Sequence, residues 1–278
     1  MDSAALAGAM MITSGAAHAI VNAILKSGGD KMSSRALIDG SAALLILPGV
    51  FFVPLPHGAW IWLFGSWFTH VIYLFALVKS FEATDMTVAY PITRGLAPAV
   101  AATAAVTLLH EPISLATAAG IGLVCAGVLV VGLGRHIPRR ALAWAGLTGL
   151  TIAAYTVIDA AGVRAAPSAF SYIVWEFITL GFGIALIFSL IRGPRFVIEA
   201  RSQWKPGLAA GALSIVTWGL ALSAYRLGDV PRLAALRETS ILFGVVIAIV
   251  FLKEKITWPR LAGIGAIAGG AMLLLATG

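Results

Sequence analysis

Charge is what this chain lacks. Only 11% of its 278 residues are Asp, Glu, Lys or Arg, against about 25% in soluble domains. Hydrophobic residues make up 60% and the mean hydropathy is +0.96. A soluble core cannot hide that much apolar surface, so the bilayer must be the solvent. The single cysteine, Cys125, excludes an intrachain disulfide and leaves the redox compartment unread. No Cys/His cluster has metal-ligand spacing, and neither HExxH nor Gly-x-Ser-x-Gly occurs. No metal and no cofactor are therefore expected, and enzyme classes built on those motifs are excluded. Twelve prolines and 30 glycines do not make a low-complexity chain, because membrane helices tolerate both. The +7 net charge resides in short turns between apolar runs. It reads as a topology signal rather than a nucleic-acid surface.

What is present is a repeated pattern. Arg94, His110-Glu111-Pro112-Ile113-Ser114, Gly120 and Gly127 return, at one constant offset, as Arg237, Lys253-Glu254-Lys255-Ile256-Thr257, Gly263 and Gly270. Ser14, Ala17 to Ala23 and Asp39 align with Thr151, Ala154 to Ala160 and Glu176 at a slightly shorter offset. A helix crosses the hydrocarbon in about 20 residues. Spans are accordingly expected at roughly 4–25, 34–56, 59–78, 85–109, 114–133, 141–162, 169–191, 207–227, 231–252 and 257–277. The first span has no basic residue before its apolar stretch and matches the sixth, so it does not read as a cleaved signal.

The expected fold is an all-α membrane protein: ten transmembrane helices as two inverted five-helix repeats, residues 1–135 and 136–278. The boundary is the basic turn Arg135 to Arg140. An odd number of spans per copy inserts the two copies upside down, which marks alternating access around a site between the halves. Turns after odd-numbered spans hold most of the Lys and Arg, and turns after even-numbered spans hold only Arg164, Arg226 and Arg232. The odd turns are thus expected in the cytoplasm, with both termini outside a plasma (cell inner) membrane. Ten spans suffice for a complete pathway in a monomer. The expected partners are the lipid bilayer and a small-molecule substrate, with no nucleic acid.

Five-span halves, each with an acidic turn before a glycine-rich last helix, resemble the EamA-type carriers of the drug/metabolite transporter superfamily. His18-Ala19, Asn22, Lys26 and Asp30 also resemble the opening of a subgroup of these carriers. The resemblance spans the whole chain and implies a ten-helix export carrier, with amino-acid and aromatic amino-acid exporters as relatives. It also implies cytoplasmic termini in several relatives, opposite to the charge count here. The smallest relatives couple drug export to protons through a first-helix glutamate, which spans one and six of this chain lack.

A charge at a helix centre costs on the order of 2.5–3.5 kcal/mol on insertion scales and needs a partner or water. Arg94 and Arg237 occupy equivalent mid-span places. They are expected either to meet a substrate carboxylate or to bond structurally to carbonyls, Asp39 or Glu176. Asp39, Glu176 and Asp159 are candidates for coupling or charge pairing, Asp159 through Arg164 one turn away. Ser14, His18, Asn22 and Lys26 share one face of span one, as Thr151, Tyr155 and Asp159 do in span six. Such a stripe faces protein or a cavity. His70, Tyr73, Tyr90, Trp175 and Trp218 complete the expected pocket lining, which suits an amphipathic metabolite. Trp60, Trp62, Trp144, Trp204 and Trp258 read as interfacial anchors. Pro91, Pro98 and Pro231 beside the arginines read as kinks that serve as gates, or as static bends.

The function expected is export of small amphipathic metabolites, amino acids (aromatic or neutral) first. The alternative carrier reading is an exporter or exchanger of phosphorylated or phosphonate metabolites, which uses both arginines. An intramembrane enzyme needs a nucleophile with a base on facing helices, and His18 with Ser14 is the only nearby pair. A receptor or scaffold is the reading if neither the arginines nor the aromatic residues face a cavity.

Overall fold

Long apolar stretches without a satisfied edge must close their hydrogen bonds within the segment, and in lipid that means helix. The computed structural model describes residues 3–27, 30–83, 86–132, 138–244, 246 and 258–277, with side chains for all but 26, 27, 81, 82, 86–92, 132 and 260. Among the described residues there is helix and no strand. The order is α1 (Ser3–Ser27), α2 (Lys31–Ile46) with a 3-10 turn Leu47–Phe51, α3 (Trp60–Ala83), α4 (Met86–Leu108) and α5 (Leu115–Gly132). Then follow α6 (Arg139–Ala165), α7 (Ala169–Arg192), α8 (Pro194–Leu227), α9 (Val230–Arg237) and α10 (Trp258–Ala276).

Six of the described helices are long and apolar enough to cross a membrane: α1, α2 with its 3-10 turn, α3, α6, α7 and α8. The apolar parts of α5 and α10, Leu115–Val131 and Leu261–Ala276, are shorter. Large apolar side chains stand outward, among them Phe51 and Leu115 at 88% and Phe170 at 72% exposure. That surface suits acyl chains and not water.

Three expected boundaries move. The second span stops at Phe51 rather than residue 56, where the 3-10 turn that holds Pro48 closes it. The basic stretch 192–206, expected as a link, is helical instead: Gly193 turns with φ +53° and Pro194 opens α8, which runs unbroken through Pro206. Proline in a first turn costs no hydrogen bond, so it starts helices well. The ninth span is broken. Helix α9 ends at Arg237, Glu238 and Thr239 form a turn, and helix resumes over 240–244. The turn around Lys253 to Lys255 and the boundary turn at 135–137 lie outside the described residues.

Polar side chains fix the helix ends. Asp30 caps α2, Ser168 caps α7 and Asp229 caps α9, each accepting from a backbone N–H of the first turn. Asp30 also pairs with Arg192 at 3.0 Å, which joins the start of α2 to the end of α7. At the opposite end α6 and α8 cap each other. Arg226 donates to the carbonyls of Val163 at 2.6 Å and Ala166 at 3.0 Å. Arg164 donates to those of Tyr225 at 2.8 Å and Gly228 at 2.7 Å. A cation at the carbonyl end of a helix also meets its dipole favourably. Glu111 completes this cluster: it pairs with Arg164 at 2.5 Å and accepts from the Val230 N–H at 2.7 Å, at the start of α9.

Helices α5 and α10 meet through glycine. Gly120 lies against Gly270 and Gly127 against Gly263, so the two helices run antiparallel. A Cβ on Gly127 would sit 2.7 Å from the Gly263 carbonyl and 2.9 Å from the Ile267 nitrogen, both backbone. Gly122, one turn away, faces open space. Overfilling a close-packed contact costs about 1–3 kcal/mol. Gly127→Leu is therefore expected to lower the thermal unfolding temperature of the detergent-solubilised protein by several degrees, and Gly122→Ala to leave it unchanged, in a fluorescence melt.

Candidate functional site

Four helices bring aromatic side chains and one arginine to a single place. Helix α3 supplies His70 and Tyr73, α6 supplies Tyr155, α8 supplies Trp218 and α9 supplies Arg237. His70 stacks on Tyr155 with ring centroids 4.1 Å apart. Trp218 meets both edge-on at 5.7 Å, and Tyr73 meets Tyr155 at 5.4 Å. The Arg237 guanidinium lies 4.1 Å above the Trp218 ring. A cation over an indole face gains from the ring quadrupole, most when water is excluded, and Arg237 is only 4% exposed. Its Nε has no hydrogen-bond partner.

The other mid-span arginine is differently placed. Arg94 pairs with Glu238 at 3.0 Å and donates to the Ser240 hydroxyl at 3.0 Å. Both partners belong to the interruption after α9. This corrects the expectation that Asp39 or Glu176 answers Arg94. Asp39 is instead paired within its own helix to Arg35, Nε to Oδ2 at 2.6 Å. Asp159 is answered by the Tyr172 hydroxyl at 3.1 Å, not by Arg164, which is held by Glu111.

Glu238, Ser240 and Arg35 were absent from the sequence-based site. A signal for the first two was there: Arg237-Glu238-Thr239-Ser240 is a run of four polar residues inside an apolar stretch. No regular lipid-facing helix carries such a run, so it marked an interruption. Arg35 lies at the edge of the turn after the first expected span, where Lys and Arg read as topology signals. It sits one turn before Asp39 on the same face of α2.

The remaining candidates distribute around this centre. Trp175 packs edge-on against Trp60 at 5.4 Å, so Trp60 serves a protein contact as well as standing near a helix end. Trp204 and Trp258 are exposed. His18 and Asn22 are half-buried on α1. Ser14 donates to the Thr217 carbonyl at 2.7 Å, bonding α1 to α8. Thr151 donates to Leu147 and Thr148 of its own helix. Pro98 lines a pocket beside Arg94. Pro231 stands in the first turn of α9 and frees no carbonyl, so the expected kink there is a helix start. The side chains of Tyr90 and Pro91 lie outside the described residues.

Two small pockets flank the aromatic group. One, with room for about a water molecule, lies among Arg94, Pro98, Thr156, Tyr225, Arg237 and Glu238. The other lies among Arg35, Asp39, Glu176, Leu180, Ser214 and Trp218. Helix α1 reaches the interruption closely: a Cβ on Gly15 would stand 3.2 Å from the Ser240 nitrogen and 3.4 Å from the Arg237 carbonyl.

Removing one partner of a buried ion pair strands the other and costs about 3–5 kcal/mol. Arg94→Ala is thus expected to lower the melting temperature sharply. The double substitution Arg94→Met with Glu238→Gln is expected to recover most of the loss, as a double-mutant cycle of thermal melts reads directly.

Comparison with known proteins agrees with this architecture. Residues 139–276 match the EamA-like transporter family. A protein of Sinorhizobium sp, described as an uncharacterized transporter in the cobO 3' region, is 33% identical over 93 residues, 28% of this chain. The match spans 63% of that relative's length. A solved crystal structure of a protein superposes with a TM-score of 0.74 at 18% identity, covering 98% of this chain and 96% of that one; it shares the fold. The likeness to the EamA-like transporter family thus lies in the second half of the chain.

Proposed function

We propose that the protein is a multi-pass membrane carrier that exports small amphipathic metabolites, amino acids first, by alternating access between two inverted five-helix halves, residues 1–135 and 136–278. The observation that carries this reading is the interruption of the ninth span at Glu238-Thr239, next to Arg237 and Arg94. Broken helices at mid-membrane form the substrate sites of many transporters, because they expose backbone groups and aim side chains into a cavity.

The helix contacts support the inverted halves. Matching each helix to the one five places later, α3 on α6 is answered by α8 on α1, α4 on α6 by α9 on α1, and α2 on α8 by α7 on α3. Helices α2 and α7, α4 and α9, and α5 and α10 meet their own counterparts. The crossed pairing Gly120 with Gly270 and Gly127 with Gly263 is what a two-fold axis in the membrane plane produces.

The charges favour one substrate anion. Glu238 already neutralises Arg94, which leaves Arg237 for a single carboxylate. A phosphorylated cargo would draw on both arginines and have to displace Glu238. The aromatic group beside Arg237 suits an apolar or aromatic side chain. With no glutamate in α1 or α6, facilitated transport is the simplest mode. The Lys/Arg distribution supports an inner-membrane orientation with the odd turns cytoplasmic and both termini outside, and ten spans suffice for a pathway within one chain.

Uptake of radiolabelled aromatic and neutral amino acids into proteoliposomes, with and without a pH gradient, tests this. Saturable, gradient-independent transport is expected, reduced at least tenfold by Arg237→Ala. No transport of any amino acid, with transport of a phosphorylated compound in the same vesicles, would establish the alternative.

A further inference from the structure

Three buried side chains on three helices bring ligand-bearing groups close together. His70 (α3), Asp159 (α6) and Glu176 (α7) each offer a ligand atom, and these atoms all lie within 4.8 Å of one another. The residues are 3%, 0% and 4% exposed. His70 Nε2, Asp159 Oδ2 and Glu176 Oε2 all lack a hydrogen-bond partner. An unmet buried polar atom is costly, and three in one place call for a shared explanation.

The protonation of His70 follows from its neighbours. Nδ1 lies 2.9 Å from the Ser66 carbonyl oxygen. A carbonyl only accepts, so Nδ1 carries the proton and donates. In the neutral ring Nε2 then bears the lone pair, and it has no hydrogen-bond partner. A metal-ligating histidine almost always donates its other N–H in this way, commonly to a backbone carbonyl. The Tyr172 hydroxyl donates to Asp159 Oδ1, which orients that carboxylate and leaves Oδ2 for the cluster. A single proton joins two acceptors and leaves the third unmet. A metal ion satisfies all three.

We propose that His70, Asp159 and Glu176 bind one divalent first-row metal ion, with Zn2+ the best match to one imidazole nitrogen and two carboxylate oxygens. Such donors suit tetrahedral Zn2+ at about 2.0–2.2 Å, and small side-chain rotations close the ring of atoms onto that distance. A water or a cargo group takes the fourth position. Glu176 also lines a small pocket together with Arg35, Asp39 and Ser214. The site does not depend on the chain being an amino-acid carrier, and its test reads binding alone.

Purified full-length protein in detergent, stripped with a chelator, is titrated with Co2+ and with Zn2+. The readouts are metal content after desalting and the visible absorption of bound Co2+. One ion per chain is expected, with the intense Co2+ bands of low-coordinate N/O ligation and displacement by Zn2+. Asp159→Asn and His70→Gln, each kept only if monodisperse with wild-type helix content, should weaken binding at least tenfold. Arg201→Gln, exposed in the first half of α8, should bind as wild type. Absence of stoichiometric binding in the wild type, or binding that survives both substitutions, overturns the proposal. A melting temperature that shifts with pH but not with either metal overturns it equally, in favour of a shared proton.

Discussion

Everything in the interior follows from one constraint: a charge inside a low-dielectric slab must be answered there. The chain carries few charges, and those it buries are sorted into small groups. Arg94 with Glu238 and Arg35 with Asp39 close on themselves. Arg237 lies over the Trp218 face. Asp159 and Glu176 converge on His70. Closed pairs give rigidity, whereas the open groups are where a ligand gains most, because it supplies what the protein leaves unmet.

The interruption after α9 depends on the same sorting. Ending a helix inside the membrane exposes backbone groups that lipid cannot satisfy. Here the turn satisfies them locally. The Glu238 and Thr239 nitrogens donate to the carbonyls of Ala235 and Leu236, the Thr239 hydroxyl also reaches Leu236 at 2.7 Å, and Ile241 donates back to Glu238. Gly15 lets α1 lie directly on this turn. The Arg94–Glu238 pair then fixes α4 to it. A backbone break that would be costly alone becomes the junction of three helices, and it places Arg237 at the centre of the molecule.

Much of this was legible in the sequence because a membrane imposes long, simple patterns. Apolar length, the acidic turns and the spacing of Gly120, Gly127, Gly263 and Gly270 carry the helical architecture. His70, Tyr73, Tyr155, Trp218 and Arg237, named from spacing and depth alone, do meet. Pairings were less legible, because a partner is a three-dimensional fact. Arg94 is answered across the molecule by Glu238, and Arg164 by Glu111, at sequence separations that no local pattern encodes. The His70, Asp159 and Glu176 group escapes any search for metal-ligand spacing for the same reason. Prolines misled twice: Pro194 starts a helix inside an apparent link, and Pro231 starts one where a kink was expected. Proline restricts φ and removes a donor, so its effect depends on where in the helix it falls.

Under the proposed function, the space beside Arg237 opens alternately to the two sides of the membrane. The most direct measurement is cysteine accessibility at Thr156, which lines the pocket between Arg94 and Arg237, in a Cys125→Ser background. A membrane-impermeant thiol reagent is applied to one face of oriented vesicles at a time. Labelling of Thr156→Cys is expected from both faces, slowed from both by a transported amino acid. Labelling from neither face, or from one face at a rate that cargo leaves unchanged, would contradict it.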